Sequence, residues 1–161
     1  MPLNRDFVGR TARSKEPFEV TRNDIRRFAR AIGDANPAYL DVEAAKALGH
    51  RDLVAPPTFL ISASTGDAGG GFITDPALGL QFHLVVHGEE RFAFHRPVYA
   101  GDVLDSETRI DSIRDAGRNE LMTLVTEVTS GGEPVATVTN TIVSRGTAAA
   151  PSDLKPDAKE A

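Results

Sequence analysis

A chain of 161 residues, 40% hydrophobic and 25% charged, has the size and balance of one globular domain, which excludes a disordered chain, and no apolar run in it is long enough to span a bilayer. The lack of any cysteine excludes disulfide scaffolds, thiolate nucleophiles and Cys-based zinc sites. A net charge of -5, with no long arginine cluster, disfavours a nucleic-acid partner and makes a small organic ligand the expectation.

Residues 1–15 carry basic side chains but lack the apolar stretch and small-residue cleavage site of a secretory signal, so a cytoplasmic location is expected. The first element is a helix over residues 21–32, where Ile25, Phe28, Ala29 and Ile32 fall on one stripe. Thr21 is its N-cap, Asp24 an acid in its first turn, and Gly33 its stop. A loop over residues 34–39 follows, in which Pro37 turns Asn36 away from helical geometry. A second short helix starts from Asp41 as N-cap and ends at Gly49.

Residues 53–63, LVAPPTFLISA, contain no charge and are expected to be buried nearly all round. Pro56 and Pro57 suit a helix opening, where a missing N–H costs little, and residues 58–61 would be the helix itself. The glycine-rich stretch at 65–71 reads as a flexible turn. It lacks the Lys-Ser/Thr and the preceding strand of a phosphate loop.

From residue 88 the period changes to two, with Phe92 and Phe94 on one face of a strand that ends at Pro97. Residues 103–114, 120–129 and 134–144 are rich in Val, Ile and Thr, and the breaks at 115–119 and 130–133 make two antiparallel hairpins. Helices early and long strands late predict an α+β domain over residues 1–145, a curved antiparallel sheet wrapped round the apolar helix. Residues 146–161 hold no large apolar side chain except Leu154 and read as a disordered tail. A single sheet round one helix leaves strand edges open, which predicts a dimer.

Without cysteine, the candidate acids and bases are the four histidines and carboxylates near a cleft. Asp34 ends the first helix where Asn36 and Pro37 stiffen the chain, a place that can aim side chains into a cleft; helix termination by an Asx turn explains the same residues. His50, after Gly49, is a packing or capping group or a base. His87 and His95 are eight residues apart on one strand, too far separated to share a metal, and His83 is uninformative. Tyr39 anchors its loop by its ring or serves as a phenol in the cleft. No metal or cofactor is expected.

The strings GDANPAYLDVEAAKALGHRDLVAPPTFL and HGEERFAFHRPVYAGDVL resemble the MaoC-like dehydratase family of hotdog proteins, over residues 7–145. Within that family the resemblance is greatest to the non-catalytic-type subunit of heterodimeric (3R)-hydroxyacyl-carrier-protein dehydratases. It implies a hotdog fold, no cofactor, and acyl-CoA or acyl-carrier-protein thioesters as ligands. Active members carry an Asp-x-Asn-Pro-x-His loop. Asp34, Asn36 and Pro37 match it, whereas Tyr39 stands in place of the histidine.

Removal of a proton alpha to a thioester needs a base titrating near working pH, and a phenol titrates near about 10. Active members also open the central helix with a His-Gly pair whose glycine N–H stabilises the thioester oxygen. Here the pair becomes Pro56-Pro57, which has no N–H, and Thr58 is the nearest donor. The resemblance thus implies a subunit in which Asn36, Tyr39, His50, Pro57, Thr58 and His87 contact substrate beside an incomplete catalytic Asp34, with a partner hotdog chain supplying the Asp/His pair. Two alternatives stay open: a self-sufficient hydratase or dehydratase using Asp34 with His50 or His87, and a non-enzymatic acyl-thioester-binding protein. Nothing in the residues selects a thioesterase.

Overall fold

A computed structural model describes residues 1–64 and 71–148, with only the backbone described for Ala63 and Ser64. Nearly all of the glycine-rich turn read at 65–71, and the tail from residue 149, lie outside the described residues. The fold is built on three long consecutive strands, β4 (Val103–Ala116), β5 (Asn119–Ser130) and β6 (Glu133–Ser144). They pair antiparallel, Ala116 opposite Asn119 and Ser130 opposite Glu133, so each reversal needs only two residues. Gly131 and Gly132 both have positive φ, 58° and 84°, the backbone that a tight hairpin matching the strand twist requires.

Three shorter strands complete the sheet: β1 (Thr11–Arg13), β2 (Phe18–Glu19) and β3 (Val85–Phe94). The order is β1-β4-β5-β6-β3, and β2 pairs with β4 alongside β1. β3 therefore forms one edge, paired only with β6. The sequence pattern shows no strand before residue 88; β1 and β2 are too short to display a period, and β3 begins earlier, at Val85.

Each long pairing is interrupted by an extra residue: Gly88 on β3, Asp111 on β4 and Val135 on β6. Such bulges bend a strand and increase its twist, which curves the sheet. A Cβ at Gly88 would sit 3.0 Å from Val143 Cγ2 and 3.1 Å from the Thr141 carbonyl, so this bulge closes tightly only on glycine.

The inner face of the sheet carries two apolar clusters. Leu104, Val128, Ala136 and Val138 pack with Ile25, Phe59 and Leu60 in the first. Ile110, Met122, Leu124 and Ile142 pack with Leu3, Phe7, Phe72 and Leu78 in the second. The buried Thr108 and Thr126 hydroxyls bond each other at 2.8 Å on β4 and β5. At the far end of β5, the fully buried Glu120 accepts the Leu3 N–H at 2.9 Å, stitching the first residues of the chain to the sheet.

Helix α1 (Arg22–Ala31) has Thr21 as N-cap in a reciprocal capping box with Asp24, as its sequence predicts. It buries Ile25 and Ala29. The loop expected at 34–39 differs: Asn36, extended as the following proline demands, caps a short helix α2 (Pro37–Leu40) with Pro37 in its first turn. Asp41 then caps α3 (Val42–Ala47), accepting the Ala44 N–H at 2.7 Å.

The apolar segment also differs from its expected form. Regular helix, α4 (Leu60–Ser64), starts two residues later than predicted, because the N–H-less Pro56-Pro57 pair is followed by a turn closed by Phe59 N–H to the Pro56 carbonyl. Ala55, Pro56, Phe59 and Leu60 are buried, whereas Pro57, Thr58 and Ser62 are exposed. Beyond Arg145 the chain keeps contact with the β4–β5 turn: Gly146 N–H bonds the Asn119 side chain, Ala148 N–H bonds the Arg118 carbonyl, and Thr147 is buried.

Ile110 is wholly buried in the second cluster. Ile110→Ala is expected to lower unfolding free energy by about 2–5 kcal/mol, read from the urea midpoint; a loss under about 1 kcal/mol would show that this cluster does not support the sheet.

Candidate functional site

The loop that closes α1 is fixed by its own backbone. Asp34 N–H bonds the Ala29 carbonyl and Gly33 N–H the Arg30 carbonyl, with Gly33 at φ 72°, a helix stop that needs glycine. The Asp34 Oδ1 then accepts the Asn36 N–H at 3.0 Å, and the Asn36 Oδ1 accepts the Ala38 N–H at 3.0 Å. Two successive side-chain turns thus carry the chain into α2. Asp34 ends up spending its carboxylate on the loop.

A cavity of about 470 Å³ lies between this loop, the proline segment and the chain that leaves β3. Ala38, Val54, Ala55, Pro56, Phe59, Leu60 and Val98 make its apolar walls, and Asn36, Tyr39, His50, His95 and Arg96 supply its polar groups. Of the residues singled out from sequence, Asn36, Tyr39, His50 and Pro57 line it, while Asp34, Thr58 and His87 do not. Thr58 is exposed next to the lining Pro57. His87 is exposed on β3, 3.3 Å from the Asn140 amide. No carboxylate lines the cavity among the described residues.

Neither the Tyr39 hydroxyl nor the Thr58 N–H has a hydrogen-bond partner among the described residues. His50 instead directs Nδ1 at the Tyr99 hydroxyl, 3.2 Å away, with the rings 5.8 Å apart. No group of three or more His, Cys, Asp or Glu side chains placed to hold a metal occurs among the described residues.

Sequence reasoning does not find the group that holds the cavity's second wall. Asp102, only 4% exposed, accepts from the Arg96 guanidinium at 2.8 Å, from the Tyr99 N–H at 2.9 Å, and from Arg51. Gly101, at φ 91°, turns the chain so that this carboxylate points back under the residues that precede it. Arg51 also lies over the Tyr99 ring, 5.0 Å from its centre. Burial opposes the charge of Asp102, yet the Arg96 bonds, the Tyr99 N–H and the nearby charges of Arg96 and Arg51 outweigh it, holding the carboxyl below its ordinary range. The available signal was the Ala100-Gly101-Asp102 run, where an acid follows a turn glycine after a proline-ended strand.

Residues 6–138 match the family described as FAS1-like, dehydratase domain region. The chain belongs to this family. A relative of this dehydratase-region protein, a UPF0336 protein of Parafrankia sp. (strain EAN1pec), is 59% identical over 149 residues, 92% of this chain and 98% of that protein. Among solved structures, the C-terminally truncated HadBC (3R-hydroxyacyl-ACP dehydratase) complex from Mycobacterium tuberculosis is similar at a TM-score of 0.79 and 32% identity, over 88% of this chain and 99% of that one. A MaoC-like dehydratase matches at a TM-score of 0.80 and 31% identity, over 86% of this chain and 42% of that one. The dehydratase-region protein is thus a hotdog of the MaoC-like family, in agreement with its loop and strand motifs.

Asp102→Ala removes the shared acceptor of two arginines and is expected to cost about 3 kcal/mol of stability. Because the folded carboxyl is depressed, its contribution is complete above the unfolded value of about 3.9 and is lost as pH falls through the lower folded value. Asp102→Asn should therefore flatten the fall in stability as the pH drops below about 4, followed by urea titration at each pH. An unchanged slope would remove Asp102 from the acid response.

Proposed function

We propose that this chain is a subunit of a (3R)-hydroxyacyl-thioester dehydratase, holding the acyl chain while a partner hotdog subunit supplies the catalytic Asp/His pair. The observation that carries this reading is a largely apolar cavity bordered by Tyr39 where active relatives have histidine, with the Asp34 carboxylate committed to its own loop and no carboxylate on the wall. Similarity to a chain of a (3R)-hydroxyacyl-ACP dehydratase complex supports it.

Dehydration takes a proton from the carbon alpha to the thioester and expels the 3-hydroxyl as water, leaving an enoyl thioester. The step needs a base matched to neutral pH and a donor for the oxygen on which charge gathers. A phenol in the histidine's place is a poor base at neutral pH, because phenols ordinarily titrate near about 10. Pro56 and Pro57 offer no N–H. In this reading Asn36 and Tyr39 orient the thioester end, Thr58 N–H is the remaining backbone donor at the mouth, and the walls take the acyl tail.

The open edge of β3, a ten-residue strand paired on one side only, supports a second hotdog chain as partner, since such edges are normally covered. Acyl-CoA and acyl-carrier-protein share the thioester and both suit the site. A second reading, a self-sufficient hydratase, is favoured by one observation: His50 lines the same cavity as Tyr39 and Asn36.

Hydration of crotonyl-CoA and longer enoyl thioesters separates the two. The purified chain alone should give no turnover, and co-purification with a hotdog subunit bearing the complete Asp-x-Asn-Pro-x-His loop should give an active complex. Within that complex, Asp34→Ala in this chain is expected to leave kcat within about twofold, since a loop-forming carboxylate makes no transition-state contact. Turnover by the isolated chain that is abolished in Asp34→Ala or His50→Ala would overturn the partner-subunit reading.

A further inference from the structure

A second depression, about 650 Å³, lies on the α1 side of the proline segment, between Phe18, Phe28, Arg27 and Arg30. Among the described residues one side chain lines both this depression and the cavity of the candidate site: Phe59. It is 1% exposed. Its ring meets Phe28 edge-on, centroids 5.5 Å apart at 80°, and lies 6.2 Å from Phe18. Phe18 and Phe28 line only the outer depression, so the aromatic cluster backs the ring from that side.

The backbone beneath it is equally constrained. Phe59 N–H bonds the Pro56 carbonyl at 2.9 Å, and the Phe59 carbonyl accepts the Ser62 N–H at 3.0 Å. The preceding prolines fix φ at two consecutive positions. A side chain held by its own turn and by two neighbouring rings acts as a wall, because displacing it would force strain on a packed cluster.

We propose that Phe59 sets the length limit for the acyl chain, separating a cavity that takes its first segment from a depression that longer chains reach only when the ring is cut back. This rests on the acyl-binding reading above and adds to it the residue that selects among acyl thioesters. Phe59 is a specificity-determining residue here and touches no reacting atom. The expected effect follows from burial of methylenes: each one newly enclosed is worth roughly fourfold in affinity.

The test is calorimetric titration of the full chain with butyryl-, octanoyl-, dodecanoyl- and hexadecanoyl-CoA. In the native protein affinity should rise with length and then stop rising. Phe59→Leu, which keeps an apolar side chain in the core, should move that stopping point to longer chains and raise the affinity of the first chain beyond the native limit on the order of tenfold, with butyryl-CoA unchanged. Ile110→Val trims a buried side chain in the second cluster, which lines neither depression, and should leave the stopping point where it is. Melting curves for both variants confirm that each is folded at the titration temperature. An identical length profile in Phe59→Leu and the native chain, or an equal shift in Ile110→Val, overturns the partition while leaving acyl binding intact. Failure of the native chain to bind any of the four thioesters overturns both the partition and the reading it rests on.

Discussion

A carboxylate nearly cut off from water fixes the geometry of the site. Asp102 accepts from Arg96, Arg51 and the Tyr99 backbone at once, and those three residues come from the two segments that follow α3 and β3. Desolvation of a charge is costly unless every lone pair is used, and here the acceptors are well used. The result binds the segment after α3 to the turn after β3. Val54 and Tyr99 then bridge as a short antiparallel pair, and Ala55 N–H bonds the Val98 carbonyl. The cavity lies beside this seam, and its shape depends on the seam staying closed.

Around that seam the chemistry is lopsided. One guanidinium and two imidazoles reach the cavity, and no carboxylate does. The Asp34 loop forms two side-chain turns, its acid is spent on the Asn36 N–H, and Tyr39 follows with a phenol. The apolar segment is closed on one side and open at Pro57, Thr58 and Ser62.

Much of the fold was legible because its elements are long and locally determined. Thr21 and Asp24 announce α1, Asp41 announces α3, and the glycine pair at 131–132 dictates a tight reversal between strands of alternating burial. The short strands β1 and β2 left no trace, since three and two residues cannot show a period. Pro37 signalled the break after Asn36 but not that it would open a helix of four residues. The loop half of the site could be read from its motif. The other half was less legible: Asp102 stands in a short turn run, but its partner Arg51 is 51 positions away, and no local spacing records that pairing.

The bond between Leu3 and Glu120 spans 117 positions. Leu3 and Phe7 are buried in a cluster that includes side chains of β4, β5 and β6, so the opening residues reach full burial only once those strands exist. During synthesis the ribosome must therefore release most of the chain before its beginning can dock, while the hairpins that receive it can form from neighbours as they emerge. The opening residues thus complete their docking late, and a bulky fusion attached there would act on that step.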